Sequence, residues 1–326
     1  MSRSLTATKV GNLGKVGVLY GGRSAEREVS LMSGQAVHQA LLGEGVDAHL
    51  FDPGQQGLGE LARAQFDRVF VALHGRYGED GTIQGALELL GIPYTGSGHL
   101  ACALAMDKIM TKRIWEQCGL PTPNYRVVYQ ASDLDDLPEA LGLPLILKAP
   151  NEGSTIGLAK VTEREQLDAA YEMVRQFDDT ILAERFVSGR ELTVAVLGAG
   201  EQSMALPIVE IIAPDGNYDY QTKYFSDETQ YLCPAPLTET LQQQVSEIAV
   251  RAYRALACEG WARADLMLDA DMKPWLLEMN ASPGMTGHSL VPMAAKEAGL
   301  SFSQLCIQIL SQARCKVAQR DRTDKT

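Results

Sequence analysis

Between Arg263 and Thr286 the chain reads RADLMLDADMKPWLLEMNASPGMT, and this stretch restricts the possible folds more than any other. Leu266, Leu268, Trp275 and Leu277 recur at period two on either side of Asp269-Ala270-Asp271-Met272-Lys273, which predicts two strands joined by a short turn. With a four-residue loop at 270–273, Asp269 faces Pro274, Asp265 faces Glu278 and Arg263 faces Asn280. Directly opposed residues share a face, as do residues two apart on one strand. Arg263, Asp265, Glu278 and Asn280 therefore gather on one face, and Leu266, Leu268, Trp275 and Leu277 on the other.

Two carboxylates at cross-strand distance repel by roughly 4 kcal/mol at 4 Å and an effective dielectric near 20, so something must compensate. An oxygen-only set of Asp, Glu and Asn suits a hard cation such as Mg²⁺, which keeps waters and shares its remaining positions with phosphate oxygens. The hairpin alone is equally compatible with surface carboxylates that are solvated or paired with Arg263. The next residues, Ser282-Pro283-Gly284-Met285-Thr286-Gly287-His288-Ser289-Leu290, tip the balance. Small residues and two glycines let a backbone approach a ligand and aim its N–H groups at it.

Hairpin and loop together resemble the metal-binding end of the ATP-grasp fold, and EMNASPGMTGHSL is similar to the signature of the D-alanine–D-alanine ligase family. That resemblance implies an α/β chain: an ATP-grasp fold behind an N-terminal Rossmann-like parallel-sheet unit, with nucleotide held between the central and C-terminal parts.

Composition is consistent with this. At 326 residues and 45% hydrophobic content the chain can bury more than one core. A net charge of −12 argues against a nucleic-acid or anionic-membrane partner, so any phosphate site must be built locally. The six cysteines form no CxxC pair and no apolar leader follows Met1, which predicts reduced thiols in a cytoplasmic protein. Expected divisions are a flexible extension at 1–14, a substrate domain at 15–105, a central domain at 106–187, a C-terminal domain at 188–313 and a flexible tail at 314–326.

Val16-Gly17-Val18-Leu19-Tyr20 reads as a buried strand, and Gly21-Gly22-Arg23-Ser24-Ala25-Glu26-Arg27-Glu28-Val29-Ser30 leads from it into a helix. A strand, a glycine turn and a helix start make a site for a small polar ligand. Further strands are expected at 48–52 and 68–73, the latter ending in Leu73-His74-Gly75-Arg76-Tyr77-Gly78-Glu79-Asp80-Gly81. The resemblance implies that Glu26 holds the ammonium of the first D-alanine and that His74 contacts substrate. Gly96-Ser97-Gly98-His99-Leu100-Ala101 matches a dinucleotide pattern, but its strand is short and no acidic strand end follows, so it reads as a helix start.

Leu145-Ile146-Leu147-Lys148 is a strand ending in a lysine, followed by the glycine- and hydroxyl-rich Asn151-Glu152-Gly153-Ser154-Thr155-Ile156-Gly157. Lysine and loop together read as a phosphate lid, with a plain hairpin loop as rival. By resemblance, Lys108, Lys148, Ser154 and Thr155 serve the ATP phosphates, Glu184, Arg185, Phe186 and Val187 form the adenine hinge, and Glu191 meets the ribose. A polar aromatic loop at 213–232 precedes the helix expected from Thr238 to Cys258 and reads as a water-excluding lid. The family's mobile loop falls there, with Lys223 on the phosphates and Tyr224 linked to Ser154 and Glu26.

The activity implied is ATP-dependent joining of two D-alanines through an acyl phosphate, for peptidoglycan precursor synthesis. Mg²⁺ or Mn²⁺ on Asp265, Glu278 and Asn280 would bridge phosphates, Arg263 and the Gly284 N–H would stabilise the oxyanion, and Ser289 and Leu290 would place the second carboxylate. A homodimer is implied by the resemblance alone. A D-alanine–D-lactate ligase or another ATP-grasp ligase would share the ATP half; a nicotinamide dehydrogenase would leave the hairpin unexplained, and a nucleotide sensor would bind without turnover.

Overall fold

A computed structural model of the chain describes residues 11–153, 157–213 and 229–317. Three strands, β1 (Lys15–Leu19), β2 (Asp47–Phe51) and β3 (Arg68–Val71), form a parallel sheet in the order β2-β1-β3, with α1 (Arg27–Gly43) crossing from β1 to β2. Val16, Val18 and Leu19 are fully buried, as expected where helices cover both faces of a parallel sheet. The short strand expected just before Gly96 is reduced to isolated bridges at Tyr94, parallel to Val69 and antiparallel to Arg314. Gly98 then caps the helix His99–Met106. The neighbouring glycine, Gly96, has a φ of +83° and lies against the Trp261 ring, so close packing accounts for it without a dinucleotide.

A second sheet is antiparallel, with β4 (Tyr125–Val128), β5 (Leu145–Lys148), β6 (Leu158–Val161) and β7 (Ile181–Arg185) in the order β4-β7-β5-β6. The third sheet contains β8 (Gly189–Ala199), β9 (Met204–Ala205), β10 (Val209–Ile212), β11 (Gln230–Leu232), β12 (Glu259–Asp269) and β13 (Pro274–Asn280). Its order is β11-β10-β8-β12-β13, with β9 on β8. The helix Glu239–Ala255, capped by the Thr238 hydroxyl, packs on one face against Leu192, Val194, Val196, Ala262, Ala264, Leu266 and Leu268. On the other face Trp261, Ala195 and Leu197 meet the first sheet and the C-terminal helices, Trp261 lying 5.4 Å from Phe70.

The β12–β13 hairpin has the expected register at its polar end, Asp265 opposite Glu278 and Arg263 opposite Asn280. Toward the turn the register shifts by one, placing Leu266 opposite Leu276 and Leu268 opposite Pro274. Leu277 is the extra residue of a β-bulge, and beyond it every side chain of β13 changes face. The expected apolar face is corrected accordingly. Leu276 is fully buried beside Leu266 and Leu268, whereas Trp275 and Leu277 are partly exposed and the indole N–H of Trp275 donates to Asp269 Oδ2 at 2.8 Å. The turn is one residue longer than counted, and the bulge cancels that error at the polar end.

Candidate active site

β12 places Arg263 and Asp265 on the same face as Trp261, so the polar cluster continues the surface that meets the first sheet. Asp265 is buried and accepts four hydrogen bonds. Arg263 donates to both its oxygens, through Nε at 2.8 Å and NH2 at 2.7 Å, Thr193 Oγ1 donates at 2.6 Å and Asn280 Nδ2 at 2.9 Å. Glu278 pairs with Lys108 Nζ at 3.3 Å. The repulsion expected between the carboxylates is thus offset by an arginine and a lysine. Asp265, Glu278 and the Asn280 amide oxygen form a hard, oxygen-only set that fits Mg²⁺, although among the described residues no three His, Cys, Asp or Glu side chains form a prebuilt metal cluster.

A cleft of about 130 Å³ opens over this face, lined by Glu26, His74, Glu79, Gly153, Arg263, Glu278, Asn280, Ser282, Gly284, Thr286, Ser289 and Leu290 among others. Residues separated by most of the chain converge there. Glu26 sits just ahead of α1, where the glycine turn leaves β1, and is buried. Two glycines fence its carboxylate: a Cβ on Gly75, whose φ is +66°, would stand 2.8 Å from Glu26 Oε2, and one on Gly153 would stand 3.0 Å away. Lys108 begins the helix Lys108–Gln117 behind its Asp107 cap and donates to the Glu152 carbonyl at 2.7 Å. It therefore ties the glycine-rich loop to the hairpin.

His74 is buried with both ring nitrogens engaged, Nδ1 2.8 Å from the Ser282 carbonyl and Nε2 3.0 Å from Ser33 Oγ. The carbonyl can only accept, so Nδ1 carries the hydrogen and Nε2 accepts from Ser33, whose oxygen accepts the Met285 N–H at 3.1 Å. Burial lowers the imidazole pKa, keeping the ring neutral and in this tautomer. Its ring lines the cleft while its nitrogens lock the first sheet to the 281–286 loop. Ser289 caps the helix Leu290–Glu297 and its hydroxyl accepts the Thr286 N–H at 2.9 Å; a Cβ on Gly284 would meet that hydroxyl at 2.9 Å.

Sequence reasoning missed two groups. Glu79 borders the cleft and accepts the Gly75 N–H at 2.9 Å; burial and the nearby Glu26 charge push its carboxyl up to about 8. Lys112 is fully buried and pairs with Glu184 Oε2 at 2.9 Å, while Lys148 pairs with Glu184 Oε1. Of the hinge residues, Arg185 and Phe186 use their N–H groups on the Asn124 and Pro144 carbonyls, and Lys160 lies 3.8 Å over the Phe186 ring. Val187 follows β7, and Glu191 lies on β8 opposite Met267. The glycine-rich loop does join a hairpin, β5–β6, so the rival reading of its backbone also holds. Ser154, Thr155, Lys223, Tyr224 and most of the 213–232 lid lie outside the described residues.

Comparison with known proteins bears on the whole chain. Residues 47–97 match the profile described as D-ala D-ala ligase N-terminus and residues 114–311 the one described as D-ala D-ala ligase C-terminus. The D-alanine–D-alanine ligase of Bordetella petrii is 65% identical over 94% of this chain and 94% of its own. That of Cupriavidus taiwanensis is 60% identical over 93% of this chain and 92% of its own. Among solved structures, the D-alanine–D-alanine ligase of Bacillus anthracis complexed with ATP superposes with a TM-score of 0.80 at 32% identity, covering 91% of this chain and 96% of that one. The VanG D-Ala:D-Ser ligase of Enterococcus faecalis gives 0.79 at 29% identity, covering 91% and 98%. With both profiles matched in order and close relatives aligned over nearly its full length, the chain belongs to the D-alanine–D-alanine ligase family and has its ATP-grasp fold.

Proposed function

We propose that the cleft between the first sheet and the β12–β13 hairpin is where this ATP-dependent ligase joins two D-alanines, and that Glu26, Arg263, Gly284 and Ser289 are its substrate-handling residues. The observation that carries the assignment is their convergence, with Glu278 and Asn280, on one small cavity. Glu26 supplies a buried carboxylate for the first ammonium group. The first carboxylate attacks the γ-phosphorus of ATP and ADP departs, leaving an acyl phosphate. The second amine then attacks the acyl carbon, phosphate leaves and the amine gives up a proton. In this reading Arg263 and the Gly284 N–H bind the developing oxyanion, a contribution of about 3 kcal/mol per donor in such sites. Ser289 and Leu290 open a helix whose N-terminal N–H groups favour the second carboxylate.

Lys108 and Lys148 offset phosphate charge, with Ser154, Thr155 and Lys223 as further phosphate ligands and Tyr224 linked to Ser154 and Glu26, as the family resemblance implies. Glu184, Arg185, Phe186 and Val187 receive the adenine, and Glu191 the ribose. Asp265, Glu278 and Asn280 are the residues that would hold Mg²⁺ or Mn²⁺, which when bound supplies charge to the phosphate oxygens. For Arg263 to serve the oxyanion it must loosen its bidentate grip on Asp265. His74 orients the 281–286 loop as well as lining the cleft.

The division into domains at 15–105, 106–187 and 188–313 belongs to this reading and follows the three sheets. A homodimer, by the family resemblance alone, and a cytoplasmic location, with which six free cysteines agree, belong to the same reading. Among the described residues no helix is long and apolar enough to cross a membrane. The test is phosphate release from Mg-ATP with D-alanine, L-alanine, and D-alanine paired with D-serine or D-lactate, with products identified by mass. Release that requires D-alanine and yields D-alanyl-D-alanine is expected. Equal release with L-alanine, or a mixed product in preference to the dipeptide, would overturn the substrate assignment.

A further inference from the structure

We propose that Lys112, a buried lysine away from the cleft, is a positioning residue that neutralises Glu184 from behind and so frees the charge of Lys148 for nucleotide phosphate. The inference rests on the reading of Lys148 as a phosphate ligand. Lys112, Glu184 and Lys148 form a line from the interior outward, with side-chain exposures of 0%, 5% and 9%. The Lys112 ammonium sits 2.6 Å from Thr122 Oγ1, 3.3 Å from the Pro123 carbonyl and 2.9 Å from Glu184 Oε2. Two of its N–H bonds go to Thr122 and Pro123, its contact with Glu184 Oε2 is an ion pair, and Thr122 passes its own hydrogen to the Leu276 carbonyl of β13 at 2.9 Å. Glu184 turns its other oxygen to Lys148 at the end of β5, where the glycine-rich loop begins.

A lysine is an expensive way to fill a buried site, since the desolvation penalty is several kcal/mol. A hydrophobic residue would pack there unless the charge had a use. The count of charges supplies that use. Two lysines and one glutamate leave the group with one net positive charge, and only Lys148 is near enough to the surface to present it. Without Lys112 the Glu184 carboxylate would have Lys148 as its sole counter-ion, and the pair would present no net charge to an incoming phosphate. Burial pulls against ionisation of Glu184, yet Lys112 and Lys148 together hold its carboxyl down to about 2; burial likewise pulls the Lys112 ammonium down, and the Glu184 carboxylate opposes that.

The test is calorimetric binding of Mg-ADP and of adenosine to the full chain and its variants. Lys112→Met should weaken Mg-ADP about tenfold while adenosine stays within about twofold, and Lys112→Arg should keep most of the affinity. Adding Glu184→Gln to Lys112→Met returns the net charge to its original value. The ratio of Mg-ADP to adenosine affinity should then recover to within about threefold of the parent. A purely structural lysine would weaken both ligands alike and leave the double variant worse than the single, which overturns the proposal, as does an unchanged ratio in Lys112→Met. If Lys112→Met does not fold, the double variant decides on the same ratio, a tenfold loss counting against. Lys148→Met is the control: if it leaves Mg-ADP binding unchanged, the phosphate assignment of Lys148 itself fails; if it weakens Mg-ADP while Lys112→Met does not, only the inference about Lys112 fails.

Discussion

Glu79 and Glu26 border one cleft, and burial there, with the Glu26 charge adding to it, favours the protonated form of Glu79. The Glu79 carboxyl is raised from 4.5 to about 8, first by burial and then by Glu26. Between those two values the folded protein holds a proton that the unfolded chain has released, so stability falls as pH rises through that window. In metal-free protein, urea midpoints at pH 5, 6.5 and 8 should show the parent losing about 2 kcal/mol relative to Glu79→Gln, less than full linkage because the residue is partly exposed. Parallel curves would mean that Glu79 is ionised throughout. Nothing in the sequence singled out Glu79 from the acids around it, because its neighbour Glu26 is 53 residues away along the chain and burial is a tertiary property. Glu26 and His74 were legible only because their motifs resemble a family's.

At the level of the element, the β12–β13 hairpin and the 149–157 loop behave differently. Strand periodicity paired Asp265 with Glu278, but only because the bulge at Leu277 offset a turn one residue longer than counted. It misplaced Trp275 and Leu277, because a bulge leaves no mark in a two-residue repeat. The loop was recognisable by composition, but the nearness of its Gly153 to the Glu26 carboxylate was not. A Gly153→Ala methyl would stand 3.0 Å from Glu26 Oε2, tighter than ordinary packing, and would crowd the first ammonium position. It should raise KM for the first D-alanine about tenfold, in line with the usual cost of overpacking, with Tm nearly unchanged. An unchanged KM in steady-state kinetics would mean the loop yields and that Gly153 does not shape the subsite.

Across the whole molecule, the C-terminal residues fasten the first sheet to the third. Arg314 exchanges backbone hydrogen bonds with Tyr94 and its guanidinium reaches Glu259 on β12, while the Lys316 N–H donates to Glu88 at 2.6 Å. Composition marks 314–326 as a charged tail, within which 314–317 make hydrogen bonds to Tyr94 and Glu88. A chain ending at Ala313 should lose about 2 kcal/mol and melt roughly 3 °C lower by calorimetry, since the pairs are partly exposed and the backbone bonds few. An unchanged Tm would leave the clasp without energetic weight. By itself the sequence determined the existence of the β12–β13 hairpin and its run of polar residues, the buried β1 and β5 strands and the glycine loops that follow them, because local periodicity and backbone freedom are written residue by residue. The joining of Glu26, Gly153 and Arg263 in one cleft, the neutral Glu79, the bulge at Leu277 and the Lys112–Glu184–Lys148 line were decided only by tertiary structure. Each depends on burial and on charges brought together from distant segments, and those arise only once the chain has folded.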